Sequence, residues 1–253
     1  MRIILPSFEI LTPISDGGIE ELKQIERAAR TCYKSEGKIT EDGESAKKMV
    51  NILISKGHEA MLEHSQLSVK FITDRGVSHE LVRHRLCSFS QESTRWCDYS
   101  NDGKFEGGLT FILPYEFNAA FMKNDDIRDE FSAFMQTAET YARTAYSKCL
   151  RFETIMGIPG FNEWIAAMFR AEEYYDFMRE KGCTPQLARA VLPNSLKTEL
   201  VVTANYREWR NILKLRTAKD AHPDMRSLMN ELLKELQKRI PLVFGDIPID
   251  WDI

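Results

Sequence analysis

Residues 83–95, Arg83-His84-Arg85-Leu86-Cys87-Ser88-Phe89-Ser90-Gln91-Glu92-Ser93-Thr94-Arg95, carry three arginines, a histidine, three serines, a threonine, a glutamine and a glutamate. A guanidinium fork binds phosphate or carboxylate through two parallel hydrogen bonds, and neighbouring hydroxyls add neutral donors. The stretch therefore has the composition to hold an anionic, oxygen-rich ligand. Glu92 among the arginines would accept from N–H groups such as a nucleobase presents. Just upstream, Val77 and Leu81 lie four apart. That spacing predicts the end of a short helix with one buried edge, delivering Arg83 and Arg85 into a Ser-rich loop. By itself the stretch also fits a solvated basic loop, since a short motif match carries a real false-positive risk.

Two further sets of residues accompany it. Upstream lies Gly57-His58-Glu59-Ala60-Met61-Leu62-Glu63-His64; downstream lie Asn205, Arg207, Asn211 and Arg216. On a regular helix His58 and His64, six apart, would stand about 240° around the axis and could not share one metal ion. Nor is this the H-E-x-x-H of zinc proteases. Read from the residues alone, His58 caps a helix end and Glu63 makes a surface ion pair. The five cysteines form no C-x-x-C pair, a pattern of a reducing compartment without a zinc site. Cys87, between Arg85 and Ser88, is read as a packing residue. No base and orienting group can be paired with Ser93 from the sequence, so its reading is binding and not nucleophilic.

Taken together the three sets resemble the signature of the flavin-dependent thymidylate synthases. The matching elements are Arg-His-Arg followed after seven residues by Ser93, the His-x4-Glu-His run, and Asn-x-Arg-x3-Asn-x4-Arg, in that order. The resemblance spans roughly residues 1–115 and 183–240. It implies reductive methylation of deoxyuridine monophosphate (dUMP) to dTMP, with 5,10-methylenetetrahydrofolate as carbon donor and NADPH as reductant through FAD. It also implies a homotetramer with active sites at subunit interfaces. The resemblance assigns His58, Glu63, Arg83, His84, Arg85, Gln91, Asn205, Arg207 and Asn211 to the flavin. It assigns Glu80, Arg83, Gln91, Glu92, Ser93, Thr94, Arg95, Arg189 and Arg216 to the nucleotide. Arg216 is the catalytic expectation: its guanidinium would lie against the uracil and favour ionisation at N3. Glu80 stands where the family often has glutamine, so a contact to a hydroxyl or to water is expected there. The cysteine-dependent thymidylate synthases use a Pro-Cys-His segment that this chain lacks.

The elements that must position these residues follow from periodicity. A strand is predicted over 2–8, amphipathic helices over 17–33 and 45–56 with Gly57 as C-cap, and a half-buried strand around Leu67, Val69 and Phe71. Next come a mobile loop over 98–110, a short strand at Phe111-Ile112-Leu113, a long helix from Asp125 to about Leu150, and a helix from about Asn162 to Lys181. The stretch 150–170 reads as a helical insertion, and Trp164, Phe169, Tyr174 and Phe177 as a core or subunit-interface stripe. Thr184 and Pro185 open a short helix on which Leu187 and Val191 face the core and Arg189 does not. A strand over 196–204 and helices over 206–215 and 223–239 complete the chain, with His222 unassigned. The fold class expected is α+β, a single catalytic domain with a mixed or antiparallel sheet flanked by long helices. A net charge of −4 argues against general nucleic-acid binding. There is no apolar run long enough to cross a membrane and no signal peptide, so a cytoplasmic protein is expected. Two rivals are a nucleotide- or RNA-binding module, marked by steep salt dependence, and a flavoprotein reductase without methyl transfer.

Overall fold

The computed structural model describes residues 1–100, 108–123, 129 and 160–249. The predicted 125–150 helix, most of the predicted 98–110 loop and the first part of the 150–170 insertion lie outside these residues. The described strands are β1 (Arg2–Ile4), β2 (Ser7–Ile10), β3 (Gln66–Asp74), β4 (Ser88–Gln91), β5 (Thr110–Ile112) and β6 (Lys197–Asn205). The described α-helices are α1 (Ile19–Tyr33), α2 (Glu44–Ser55), α3 (Arg75–Leu81), α4 (Tyr115–Met122), α5 (Phe161–Glu180), α6 (Pro185–Ala188), α7 (Tyr206–Arg216), α8 (Pro223–Arg239) and α9 (Pro241–Phe244). The chain divides into two compact units: Met1–Ser7, Ile72–Leu81 and Gln91–Leu200 form the first, and Phe8–Phe71, Val82–Ser90 and Val201–Ile253 the second.

In the first unit β1 and β5 pair in parallel, Ile3 opposite Phe111. A small core of Phe111, Leu109, Tyr175, Met168, Ala188 and Leu196 forms around them. Helix α5 supplies it from a face made of Met168, Ala171 and Tyr175. Tyr174 and Phe177, predicted to share the stripe, are more than half exposed; the buried tyrosine is the next residue along. In α6 the buried residue is Ala188, whereas Leu187 is 55% exposed. The helix is one turn long, with Pro185 at its start as predicted, and Ala188 is the residue it contributes to the core with Leu109, Tyr175 and Leu196. The expected inward Leu187 and Val191 are thereby corrected.

Sheet order is β2-β3-β6-β4. In the second unit Tyr206 N donates to Ser65 O at 2.9 Å, and the hydroxyls of Ser68 and Thr203 meet at 2.7 Å. In the first unit Arg75 N donates to Asn194 O at 2.8 Å. Residue numbers rise on β3 as they fall on β6, so this pair is antiparallel. Alternation along β6 buries Thr198, Leu200, Val202 and Ala204, as the period of two requires. The predicted 2–8 strand is broken into β1 and β2 at Leu5-Pro6, where proline withholds a ladder donor. Residues Glu59–His64 form a 3-10 helix, and the predicted Ser-rich loop contains β4.

The second unit packs α1, α2, α7 and α8 through Leu22, Val50, Trp209, Ile212, Met229 and Leu233, all fully buried. Trp209 lies against Phe71, ring centroids 6.3 Å apart, and its indole N–H donates to Leu67 O at 2.9 Å. Arg210 is buried as completely as the hydrophobes. Its guanidinium meets Glu59 Oε1 at 3.0 Å and Asp246 Oδ1 at 2.5 Å and also donates to Val243 O. One cation thus ties α7 to the 3-10 helix and to the turn after α9. Removing it leaves Glu59, 22% exposed, and Asp246, 47% exposed, without their buried cation, so Arg210→Ala should lose about 1.5–3 kcal/mol of stability, the scale of hydrogen bonds to a charged group. Urea denaturation of the variant beside the unaltered protein measures this directly.

Candidate active site

The second unit holds five residues that share one chain of contacts. Asn205 caps α7, its Oδ1 accepting from Glu208 N at 2.8 Å. The cap fixes the first turn and turns the Glu208 side chain into the interior, where it is 9% exposed. Asn211, one turn further on, donates its amide to both Glu208 oxygens at 3.4 Å. On the other side Glu208 Oε1 lies 3.5 Å from His84 Nδ1, and His84 Nε2 accepts from Arg216 Nε at 3.0 Å. His84 is itself buried. Its pKa is lowered, by burial first and then by the charge of Arg216, while Glu208 works in the opposite sense. The ring is therefore neutral near pH 7, which is the form that can accept from a guanidinium.

Around this chain the other expected residues sit at the surface. Arg83, Arg85 and His58 are exposed, and Arg207 reaches Glu63 at 2.6 Å. That ion pair links α7 to the 3-10 helix and matches the bland reading of Glu63. His58 occupies the cap position of the 3-10 helix without a side-chain capping bond. Cys87 sits near Glu208. Burial, and then that carboxylate, pushes its thiol up to about 12, far from a nucleophilic thiolate.

The first unit holds the remaining set. A cavity of about 560 Å³ is lined by Arg75, His79, Thr94, Gln186, Arg189 and Asn194, among others. Arg189 donates to Thr94 Oγ1 at 3.2 Å, and Arg75 to Thr198 Oγ1 at 3.3 Å. Two guanidiniums, an imidazole and a hydroxyl around such a volume are donors suited to a phosphate. Ser93 starts a turn, its carbonyl accepting from Cys97 N at 2.9 Å and its hydroxyl from Arg95 N at 3.3 Å. Arg95 is exposed and lies over the Trp96 ring at 5.2 Å. Asp98 anchors the end of this turn to α5 through Arg179 at 2.6 Å. That guanidinium holds the carboxyl down to about 2.

Two residues expected to face the nucleotide are engaged within the first unit. Glu92 Oε1 accepts from Tyr99 Oη at 2.7 Å; Oε2 accepts from Lys197 Nζ at 3.0 Å and Glu199 N at 3.1 Å. Gln91 donates to Ser78 Oγ at 2.9 Å and to Thr198 at 3.3 Å. Both side chains brace the start of the turn against β6. Glu80 is half-buried on α3.

Three residues of these sets escape the motif reading. Glu208 is legible as the glutamate three residues after the cap in an Asn-x-x-Glu pattern. Arg75 and His79 are legible as an i, i+4 pair on one face of α3. His222, unassigned from sequence, caps α8 by accepting from Asp224 N at 3.3 Å. Among the described residues no group of His, Cys, Asp and Glu side chains could hold a metal ion, and no helix is long and apolar enough to cross a membrane.

Comparison with known proteins bears on what these sets do. The profile of the family described as "Thymidylate synthase complementing protein" matches residues 19–242. A flavin-dependent thymidylate synthase of Corynebacterium aurimucosum is 31% identical over 237 residues, covering 93% of this chain and 84% of that protein. One of Mycolicibacterium gilvum is 32% identical over 238 residues, covering 93% and 82%. Among solved structures, a UMP/dUMP methylase of Streptomyces cacaoi bound with 5-bromo-dUMP superimposes with a TM-score of 0.66 over 97% of this chain and 96% of that one, at 18% identity. The last shows likeness of fold.

Two outcomes follow for this site. Cys87→Ala should leave turnover within about threefold of the parent, because a thiol held near 12 contributes little thiolate at neutral pH; a rate assay decides it. The second outcome concerns acid. Because the folded protein resists protonating His84, the unfolded chain takes up that proton first, near the ordinary value of 6.5. Stability from this group is thus present above 6.5 and lost as pH falls through the folded, lower pKa. Urea midpoints between pH 7 and 5 should fall more steeply for the parent than for His84→Gln.

Proposed function

We propose that this chain, which belongs to the flavin-dependent thymidylate synthase family, methylates dUMP at C5 to give dTMP. The observation that carries the reading is Arg216, a permanent cation whose Nε–H is directed into a buried neutral imidazole at 3.0 Å. A guanidinium held in one orientation can stabilise negative charge that develops on a uracil ring, and no reorganisation is needed when the charge appears. Arg216 is therefore assigned to the uracil and is the catalytic residue of this reading.

The phosphate is assigned to Arg189, Thr94 and the turn Ser93–Arg95, with Arg75 and His79 added as further donors of the same cavity. Glu92 and Gln91 act by holding that turn. The donor set of the second unit fits a flavin dinucleotide: Arg83, Arg85 and Arg207 offer charge to a pyrophosphate, and Asn205, Asn211 and His58 offer polar edges to a ring and ribose. FAD, when bound, supplies the two-electron reduction that the methyl group requires, and the protein supplies position and charge. NADPH as electron source and 5,10-methylenetetrahydrofolate as carbon donor complete the proposed reaction. So does a homotetramer working in the cytoplasm with active sites at subunit interfaces. Free thiols at Cys32, Cys87, Cys97 and Cys183 support a reducing compartment.

Tritium release from 5-tritiated dUMP tests the proposal. Release that needs NADPH and methylenetetrahydrofolate is the expected result; NADPH oxidation without release would make the chain a reductase. Arg216→Ala should abolish release and retain bound flavin. Arg189→Ala should raise KM for dUMP about tenfold or more, the scale of one lost hydrogen bond to a charged group, with a smaller change in kcat.

A further inference from the structure

The motif Asn205, Arg207, Asn211 and Arg216 leaves out the residue at the centre of its own contacts. We propose that Glu208 is a positioning residue for the methylation chemistry, acting through His84 to set the orientation of the Arg216 guanidinium. The proposal rests on the reading that Arg216 serves the uracil.

The chemistry of the three groups leaves little freedom. Arginine only donates, so His84 Nε2, 3.0 Å from Arg216 Nε, must present its lone pair. The single ring proton then belongs on Nδ1, and Nδ1 faces the Glu208 carboxylate at 3.5 Å. With the other tautomer, Nε2–H would oppose Nε–H, donor against donor, and the guanidinium would have to turn away. A carboxylate beside Nδ1 selects the required tautomer, as an orienting group does for a catalytic imidazole. Glu208 is in turn held by the two asparagines: the Asn205 cap fixes its backbone at 2.8 Å, and the Asn211 amide meets both oxygens at 3.4 Å. Its negative charge also faces Arg216 across the ring, so the buried carboxylate is balanced by a cation and not left alone. A buried acid placed only for stability would need no such line of donors and acceptors ending on Arg216.

The test uses the flavin-loaded full-length protein and compares Glu208→Ala, Glu208→Gln, Glu208→Asp, His84→Ala, the double variant Glu208→Ala/His84→Ala, and Arg216→Ala. Glu208→Ala should lower kcat for tritium release at least tenfold, with KM for dUMP within threefold and flavin content unchanged. Glu208→Gln, whose amide oxygen still accepts from Nδ1–H, should return kcat to within threefold of the parent. Glu208→Asp keeps the charge but withdraws it from the ring, and should lose at least fivefold. Adding Glu208→Ala to His84→Ala should cost less than twofold more, because both changes break one line. Nitrogen-15 NMR of His84 should show the Nδ1–H tautomer in the parent and its loss in Glu208→Ala. Independent, multiplying losses in the double variant overturn the proposal, as does an unchanged tautomer. Should the alanine variant fail to fold, a fully active Glu208→Asp overturns it equally. An inactive Arg216→Ala beside a fully active Glu208→Ala sinks the positioning role alone. Full activity of Arg216→Ala would sink the reading beneath it.

Discussion

Helix α7 is held by a cation that never reaches solvent. Arg210, only 1% exposed at its side chain, gathers Glu59, Asp246 and the Val243 carbonyl, while its neighbour Trp209 fixes the same turn against β3. A buried guanidinium is tolerated only when its donors are matched, so each partner element is committed to one position. The 3-10 helix cannot slide without separating Glu59 from Arg210, and the turn after α9 cannot lift without separating Asp246 from it. What the second unit presents for chemistry depends on this, because Asn205, Glu208, Asn211 and Arg216 all ride on the helix so fixed.

From that anchored helix a second line of polar contacts runs toward the functional end. It passes from an asparagine cap to a carboxylate, through one histidine, to an arginine. Each member is either buried or braced by a buried one. A side chain as long as arginine otherwise loses up to about 2 kcal/mol of rotamer entropy when it is fixed. Here the imidazole meets that cost before any ligand arrives. The same logic appears in the first unit, where Glu92 and Gln91 use their polar atoms on Tyr99, Lys197, Ser78 and Thr198. The turn bearing Ser93, Thr94 and Arg95 is thereby given a rigid start, and Asp98 with Arg179 gives it a rigid end.

Much of the architecture is legible in hydrophobic spacing. The period of 3.6 marks α1, α2 and α8, and the period of two marks β3 and β6, because those patterns reflect one buried face of a regular element. Local chemistry marks Gly57, whose φ of 68° favours a residue without a side chain, and Pro185 at the start of α6. The misses have physical causes too. A stripe on α5 gives no means of choosing between Tyr174 and Tyr175, since a one-residue rotation of the helix changes which aromatic ring is buried. In α6 Ala188 and not Leu187 joins the core, because a one-turn helix is too short for a hydrophobic period to reveal its buried side.

The sequence by itself determined the family, the order of its three motifs and the residue types that can meet an anion, because these are properties of spacing along a chain. Tertiary structure alone decided what each polar atom does. Glu92 stands amid arginines in the sequence, yet its carboxylate is used by a tyrosine and a lysine up to 105 positions away. His84 sits in the Arg-His-Arg signature, yet its two nitrogens answer to Glu208 and Arg216, the latter 132 positions distant. Hydrogen bonds are satisfied in space, and a buried donor or acceptor takes whichever partner the fold brings within about 3 Å. No reading of one segment can foresee that partner, which is why Glu208, absent from every motif, lies at the centre of the site.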